Sequence, residues 1–208
     1  MDISAASSLY EFSFTSLFYT NLFYLAILFP VLTMRSFSEE RKNGTEVLLL
    51  SSPISVTKIV LAKFLATATI FLIMLAVSLF YPIVTALNGH VILANLICTY
   101  VGFYLFGLVC IALGILISSF TESIILSIIM SEAAIIILLL MDNIGTYSFF
   151  SNLPILSDLL HWLSNQQKFI TFSNGYMQVS DLFAYCTEIA VFLILTVISV
   201  EKRRWSRR

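Results

Sequence analysis

Charge is scarce in this 208-residue chain: 11% of residues are charged against 59% hydrophobic, and mean hydropathy is +0.97. Soluble domains average about 25% charged and about 45–50% apolar, so there are too few polar side chains here to coat a soluble globule. The same arithmetic excludes a disordered chain, which needs low hydrophobicity. No sign of charge predominates either. The formal net charge is −1 and the pI about 6.1, which excludes an independent nucleic-acid binder. Cysteine is nearly missing. Cys98, Cys110 and Cys186 all fall in apolar runs and read as buried thiols, not as a disulfide framework. There is no CxxC and no His/Cys cluster, and His90 and His161 are isolated, so the sequence offers no metal site. The 7 glycines are scattered and none lies in a GxxxxGK[ST] run, so the chain has no phosphate-cradling loop. Nor does it place a Ser/His/Asp or Cys/His set at believable depths. What remains is an integral membrane protein.

Long apolar runs are what the chain does have. A bilayer core needs about 20 helical residues. Five runs are long enough, at about 12–34, 64–87, 91–117, 123–141 and 182–200. They are continuous, not alternating, which favours helices over a β-barrel. The expected fold is all-α: one polytopic transmembrane helical bundle over residues 1–208. Arg35, Arg41, Lys42, Lys58 and Lys63 sit between or beside spans one and two, and Lys202, Arg203, Arg204, Arg207 and Arg208 follow span five. Of the 11 basic residues, only Lys168 lies elsewhere. That side is read as cytoplasmic, with the C-terminus inside, and the tail would meet anionic headgroups. The N-terminus then lies outside, although Met1-Asp2-Ile3-Ser4 shows no basic signal-peptide start. We expect a further span ahead of residue 1; unaided translocation of a short acidic tail is the alternative.

The connections alternate in character. The inner loop 35–57 carries Arg35, Glu39, Glu40, Arg41, Lys42 and Glu46. A tight outer turn surrounds Asn88-Gly89-His90, and a short inner turn covers 118–122. The outer loop 142–181 is long. Within it Leu153, Ile155, Leu156, Leu159, Leu160 and Leu163 recur at helical spacing, which predicts an amphipathic helix lying in the outer interface. In the inner loop, span one is expected to continue as a helix to Lys42. Gly44 ends it in the left-handed conformation, and Thr45 caps the next helix with Glu46 in its first turn. Val47-Leu48-Leu49-Leu50 forms a short apolar helix, which Ser51-Ser52-Pro53 stops, and Ser55 or Thr57 caps span two. This helix is too short to span. It must bury its leucines against its own bundle or a partner. It is either a plain connector or a docking helix that passes motion from a soluble partner to the spans.

Several residues inside the spans stand out. Glu132 falls near the middle of span four, where an ionised carboxylate costs several kcal/mol. It is either protonated, or faces a polar path, or pairs across a subunit interface. Glu188 lies about two turns into span five and reads as a structural residue near outer water or, with Glu132, as part of a polar path or interface. Glu122 suits the helix dipole at the start of span four. Cys110, Gly114 and Ser118 have small-xxx-small spacing, which lets another helix approach closely, within the chain or across a dimer. Pro30 and Pro82 predict bends near span ends. The 18 Phe and 9 Tyr line a path or face lipid.

A family resemblance rests on specific runs. Phe29-Pro30-Val31-Leu32-Thr33-Met34-Arg35, then Glu39-Glu40-Arg41-Lys42-Asn43-Gly44-Thr45-Glu46, then Leu48-Leu49-Leu50-Ser51-Ser52-Pro53-Ile54-Ser55, then Lys58-Ile59-Val60-Leu61-Ala62-Lys63-Phe64 resemble the ABC-2-type transporter permeases. The gliding-motility and nitrous-oxide-reductase-maturation branch looks most similar. His161 to Phe172, Gly175, Asp181 to Tyr185 and Glu201-Lys202-Arg203-Arg204-Trp205 resemble its last loop, last span and tail. Lys58 stands where that branch often has an acid, so a capping box at Ser55 lacks its acidic member. The resemblance implies a six-span permease of the prokaryotic cytoplasmic membrane, of which this chain shows five spans. It implies pairing with a second permease, as homo- or heterodimer, and with two cytoplasmic ABC ATPase subunits that hold the ATP and Mg. The chain itself would be neither an enzyme nor a nucleic-acid binder. The implied ATPase-coupling segment is Glu39, Glu40, Arg41, Lys42, Gly44, Thr45, Glu46, Leu49, Ser52 and Pro53. Export of a substrate is the leading expectation. The alternative is a non-transporting subunit that passes ATPase strokes to an envelope partner.

Overall fold

A computed structural model describes residues 27–88, 93–145, 162, 165–173 and 175–206. Among them every regular element is helical, as apolar chain in lipid requires, because only intrasegment hydrogen bonds satisfy its backbone. A helical stretch at 27–33 is followed by α1 (Ser38–Lys42), α2 (Glu46–Ser51), α3 (Val56–Ser78), α4 (Phe80–Asn88), α5 (Leu93–Phe120), α6 (Ile124–Gly145), α7 (Asn165–Ser173) and α8 (Val179–Ser206). Four stretches are long and apolar enough to cross a bilayer: Val56–Val84, Leu93–Phe120, Ile124–Met141 and Val179–Arg204. The protein is an all-α polytopic helical bundle. Residues 12–26 of the expected first span, and the expected interfacial helix over 153–163, lie outside the described residues.

The bundle is built around α5. In its apolar window 67% is buried inside the protein, against 33% or less in each of the other three spans. Phe71 of α3 meets Phe29 edge-on at 5.1 Å and stacks on Tyr104 at 5.9 Å. Gly107 lets the Phe71 ring lie so close that a Cβ there would overlap it. Cys110 is buried in the core, and at Gly114 and Ser118 the close neighbour is the chain's own first helix and the turn that follows it. Gly114 faces Thr33, whose side chain occupies the space a Cβ would take. The Ser118 hydroxyl accepts from the Phe37 and Ser38 amides at 3.1 and 3.2 Å and donates to the Met34 carbonyl at 3.1 Å.

That serine also accounts for a departure from expectation. The first helix does not run on to Lys42 but breaks into a turn at 34–37. The Ser118 hydroxyl pairs with the backbone groups that the break leaves open, which a buried backbone requires. α3 begins at Val56, directly after Ser55, one of the two expected starts of span two, and α8 carries its helix through the basic tail to Ser206. Lys58, Lys63, Arg203 and Arg204 therefore stand on helices that protrude at one end of the bundle, here termed the charged end.

Pro82 acts as expected. It has no N–H for the Ser78 carbonyl, and the helix is interrupted at Leu79 between α3 and α4. The freed Ser78 carbonyl accepts from the Tyr100 hydroxyl of α5 at 3.2 Å. The corresponding carbonyl for Pro30 is at position 26, outside the described residues.

The largest departure is at the far end. The connection between α6 and α8 returns into the bundle as α7. Phe169 and Phe172 of α7 are fully buried, Phe169 packing on Phe103 at 6.3 Å and Phe172 lying against Gly102. Phe103 is ten residues along α5 from Leu93, about 15 Å from that end. α7 is thus a re-entrant helix. It turns out again through Gly175, whose φ of +82° only glycine adopts without strain.

Candidate functional site

Two clusters of polar chemistry stand apart in the bundle, one at each end. At the charged end the local sequence dictates a helix–turn–helix. α1 stops where Gly44 takes φ +72° and its amide bonds the Arg41 carbonyl at 3.1 Å. α2 starts at Glu46 and stops at Ser52, which is extended at ψ 152° as a residue before proline must be. Thr45 precedes α2 but does not cap it with its side chain. Its hydroxyl turns back to the Glu40 carbonyl at 3.3 Å. Ser55 likewise makes no side-chain cap to α3.

α2 divides its side chains sharply. Glu46 is only 3% exposed and Leu49 packs against the core, while Val47 and Leu48 are 51% and 73% exposed. The Glu46 carboxylate is held from two sides, by Arg41 Nε at 3.7 Å and Arg203 Nη1 at 3.4 Å. Arg41 also binds Glu122 at the α5–α6 turn at 2.6 Å. Arg203 donates to the Ser119 carbonyl, and Arg204 donates to the carbonyls of Ser52 and Ile54 at 3.2 and 3.4 Å. Lys63 of α3 pairs with Glu40 at 2.5 Å, donates to the Ser36 carbonyl and lies over the Phe37 ring. Charge-assisted bonds of this kind are about twice as strong as neutral ones. They fasten the base of α2 to α1 and α8, tie α1 in turn to α3 and the α5–α6 turn, and leave the apolar tip of α2 outward.

Of the residues singled out in sequence, Glu40, Arg41, Glu46, Leu49 and Ser52 converge in this cluster. Lys42, Gly44 and Pro53 are exposed around its rim, with Thr45, and Glu39 is half-buried without joining the ion pairs. Sequence reasoning missed Lys63, Glu122, Arg203 and Arg204 as members. Glu46 and Arg203 are 157 residues apart, beyond any local periodicity. The only available signal was the excess of arginine at the chain's end.

The far-end cluster is buried. Lys168 of α7 pairs with Glu188 of α8 at 2.5 Å and donates to the Trp162 carbonyl, with the Tyr185 ring 5.3 Å away. Asn165 Nδ2 donates to the other Glu188 oxygen at 3.0 Å, and the Tyr185 hydroxyl donates to the Asn165 carbonyl at 3.3 Å. Glu188 is 0% exposed, which corrects the reading of a residue near water. Nine residues separate it from Val179, about 14 Å of helix, and α7 supplies both side chains that bond its carboxylate. Glu132, by contrast, is half-buried on α6, and among the described residues it has no hydrogen bond or ion pair.

These features define a class: a helical membrane protein with a short helix clamped at one end of its bundle, apolar tip outward, and a re-entrant helix sealed into the other. The chain belongs to the ABC-2 transporter family, since the family model for ABC-2 family transporter protein matches residues 5–202. It is a transmembrane permease subunit of an ABC transporter, in a family whose members associate with an ABC ATPase and a membrane-embedded partner. No curated protein and no solved structure matches it.

Proposed function

We propose that α2 is the element through which a cytoplasmic ATPase drives this permease. The observation that carries the reading is the division within α2: Leu48 stands 73% exposed while Glu46, two residues away, is 3% exposed and held by two arginines. An exposed tip of Val47 and Leu48 suits a partner's groove, as the apolar face of an amphipathic helix does. The clamp at its base makes the tip a rigid handle, so motion imposed on it reaches the spans. Lys42, Thr45 and Pro53 would form the rim of the contact. The charged end is then cytoplasmic, in keeping with the placement of ten of the basic residues.

In this reading two ATPase subunits bind ATP and Mg, close on each other and move α2, and the permease pairs with a second permease around the path. Export is the direction proposed, and the runs from Phe29 to Phe64 favour the gliding-motility and nitrous-oxide-reductase-maturation branch. Substituting Val47→Asp with Leu48→Asp tests the docking. Both side chains are exposed, so the permease itself should fold with unchanged thermal stability. We expect the cognate ABC ATPase to lose co-purification with the variant. Undiminished co-purification would overturn the assignment of α2.

A further inference from the structure

We propose that α8 is the rod that carries movement of α2 across the membrane to the re-entrant helix α7, and that Arg203 and Arg204 are the positioning residues that engage it. The proposal rests on the reading of α2 as the ATPase contact. α2 is joined by chain to α3, but that link is extended at both Ser52 (ψ 152°) and Ser55 (ψ 140°), and an extended linker transmits little. Arg204 bridges this very linker, through the Ser52 and Ile54 carbonyls on either side of Pro53. Arg203 holds Glu46 at the start of α2. Both ends of α2 are therefore gripped by adjacent residues of α8.

Stiffness favours the same route. α3 gives way to α4 at Leu79 before it reaches the far end, whereas α8 is one helix of 28 residues with neither glycine nor proline. Kinks arise at such residues, and α8 has none. Fifteen residues before Arg203, about 22 Å along the helix, the same α8 presents Glu188 to Lys168 of α7. A shift of α8 along its axis or about it must therefore either drag α7 or part a buried ion pair. Either result changes the seal that α7 makes at the far end. One helix thus has the energy input gripped near its C-terminal end and the outer closure gripped about a third of the way from its start.

The experiment uses the permease co-purified with its ATPase in proteoliposomes. Ser173→Cys places a thiol of similar size at a buried position of α7, in a Cys186→Ser background because Cys186 is exposed, contrary to the reading from sequence, while Cys98 and Cys110 are buried as expected. Labelling by a membrane-impermeant maleimide is measured with and without a non-hydrolysable ATP analogue. We expect nucleotide to change the labelling rate, and the change to be lost in Arg203→Gln/Arg204→Gln while the ATPase still co-purifies. Lys202→Gln, an exposed neighbour, should leave it intact. Glu188→Gln should abolish the nucleotide dependence from the other end with ATPase association unaltered. The proposal is overturned if labelling ignores nucleotide in the unsubstituted complex, or if the response survives Arg203→Gln/Arg204→Gln. It is also overturned if that variant releases the ATPase, since the arginines would then serve docking alone. Failure of the ATPase to co-purify with the unsubstituted permease would instead refute the reading of α2.

Discussion

Glu188 and Lys168 stand 20 residues apart in the chain and 2.5 Å apart in the fold. Each taken alone is an unfavourable residue for its surroundings, a charge on an apolar span and a charge on a helix pressed into the bundle. Together, with Asn165 and the Trp162 carbonyl, they satisfy one another. Breaking such a pair from one side strands a buried charge and costs about 3–5 kcal/mol, whereas matched apolar replacement of both partners is often neutral. Glu188→Ala should therefore lower the thermal unfolding midpoint in detergent steeply. Lys168→Met with Glu188→Leu should recover most of the loss. Equal losses from the single and the double variant would mean that the pair is not the contact that matters. Neither residue announces this in sequence. Lys168 reads as a stray outer cation and Glu188 as a half-solvated acid, because the compensation exists only once α7 turns inward.

At the scale of the element, the spans were legible because lipid leaves the backbone no alternative to helix and because about 20 apolar residues are needed to cross. The start of α3 was legible too: span two was expected to open at Ser55 or Thr57, and α3 begins at Val56 with Lys58 and Lys63 on it, Lys63 paired with Glu40 of α1. Gly44 and the Ser52–Pro53 stop were readable, since each acts through its own backbone. The break at 34–37 was not, because its cause is Ser118, more than 80 residues away. α7 was hidden for a related reason: its sequence NQQKFITFS is too polar to suggest burial without the partner that makes burial tolerable. The α3–α4 break shows how a local rule and a distant contact combine. Pro82 frees the Ser78 carbonyl and Tyr100 occupies it. Tyr100→Phe should cost about 0.5–1.5 kcal/mol, the usual worth of one hydrogen bond. In a Pro82→Ala background, where residue 82 regains its N–H, the same change should cost clearly less. Denaturation of the four proteins measures the coupling, and strict additivity would show that Tyr100 does not serve that carbonyl.

The whole molecule is a central post, α5, with charge sorted to two places. Apolar side chains on α3, α6 and α8 face outward along the flanks, as lipid-contacting spans do. The small share of charged residues is concentrated where it joins elements: a clamp of arginines and carboxylates at one end, one sealed pair between α7 and α8. That arrangement makes α2 a handle with a fixed base and a free apolar tip, and the account stands or falls on what holds that tip. The most direct measurement places a photo-crosslinking amino acid at Leu48 in membranes that also contain the cognate ABC ATPase, with Tyr176, exposed at the far end, as the comparison site. A crosslink to the ATPase is expected from position 48 and none from position 176. A crosslink from position 176 and not from 48, or ATPase captured from neither, would contradict the reading of α2 as the ATPase contact.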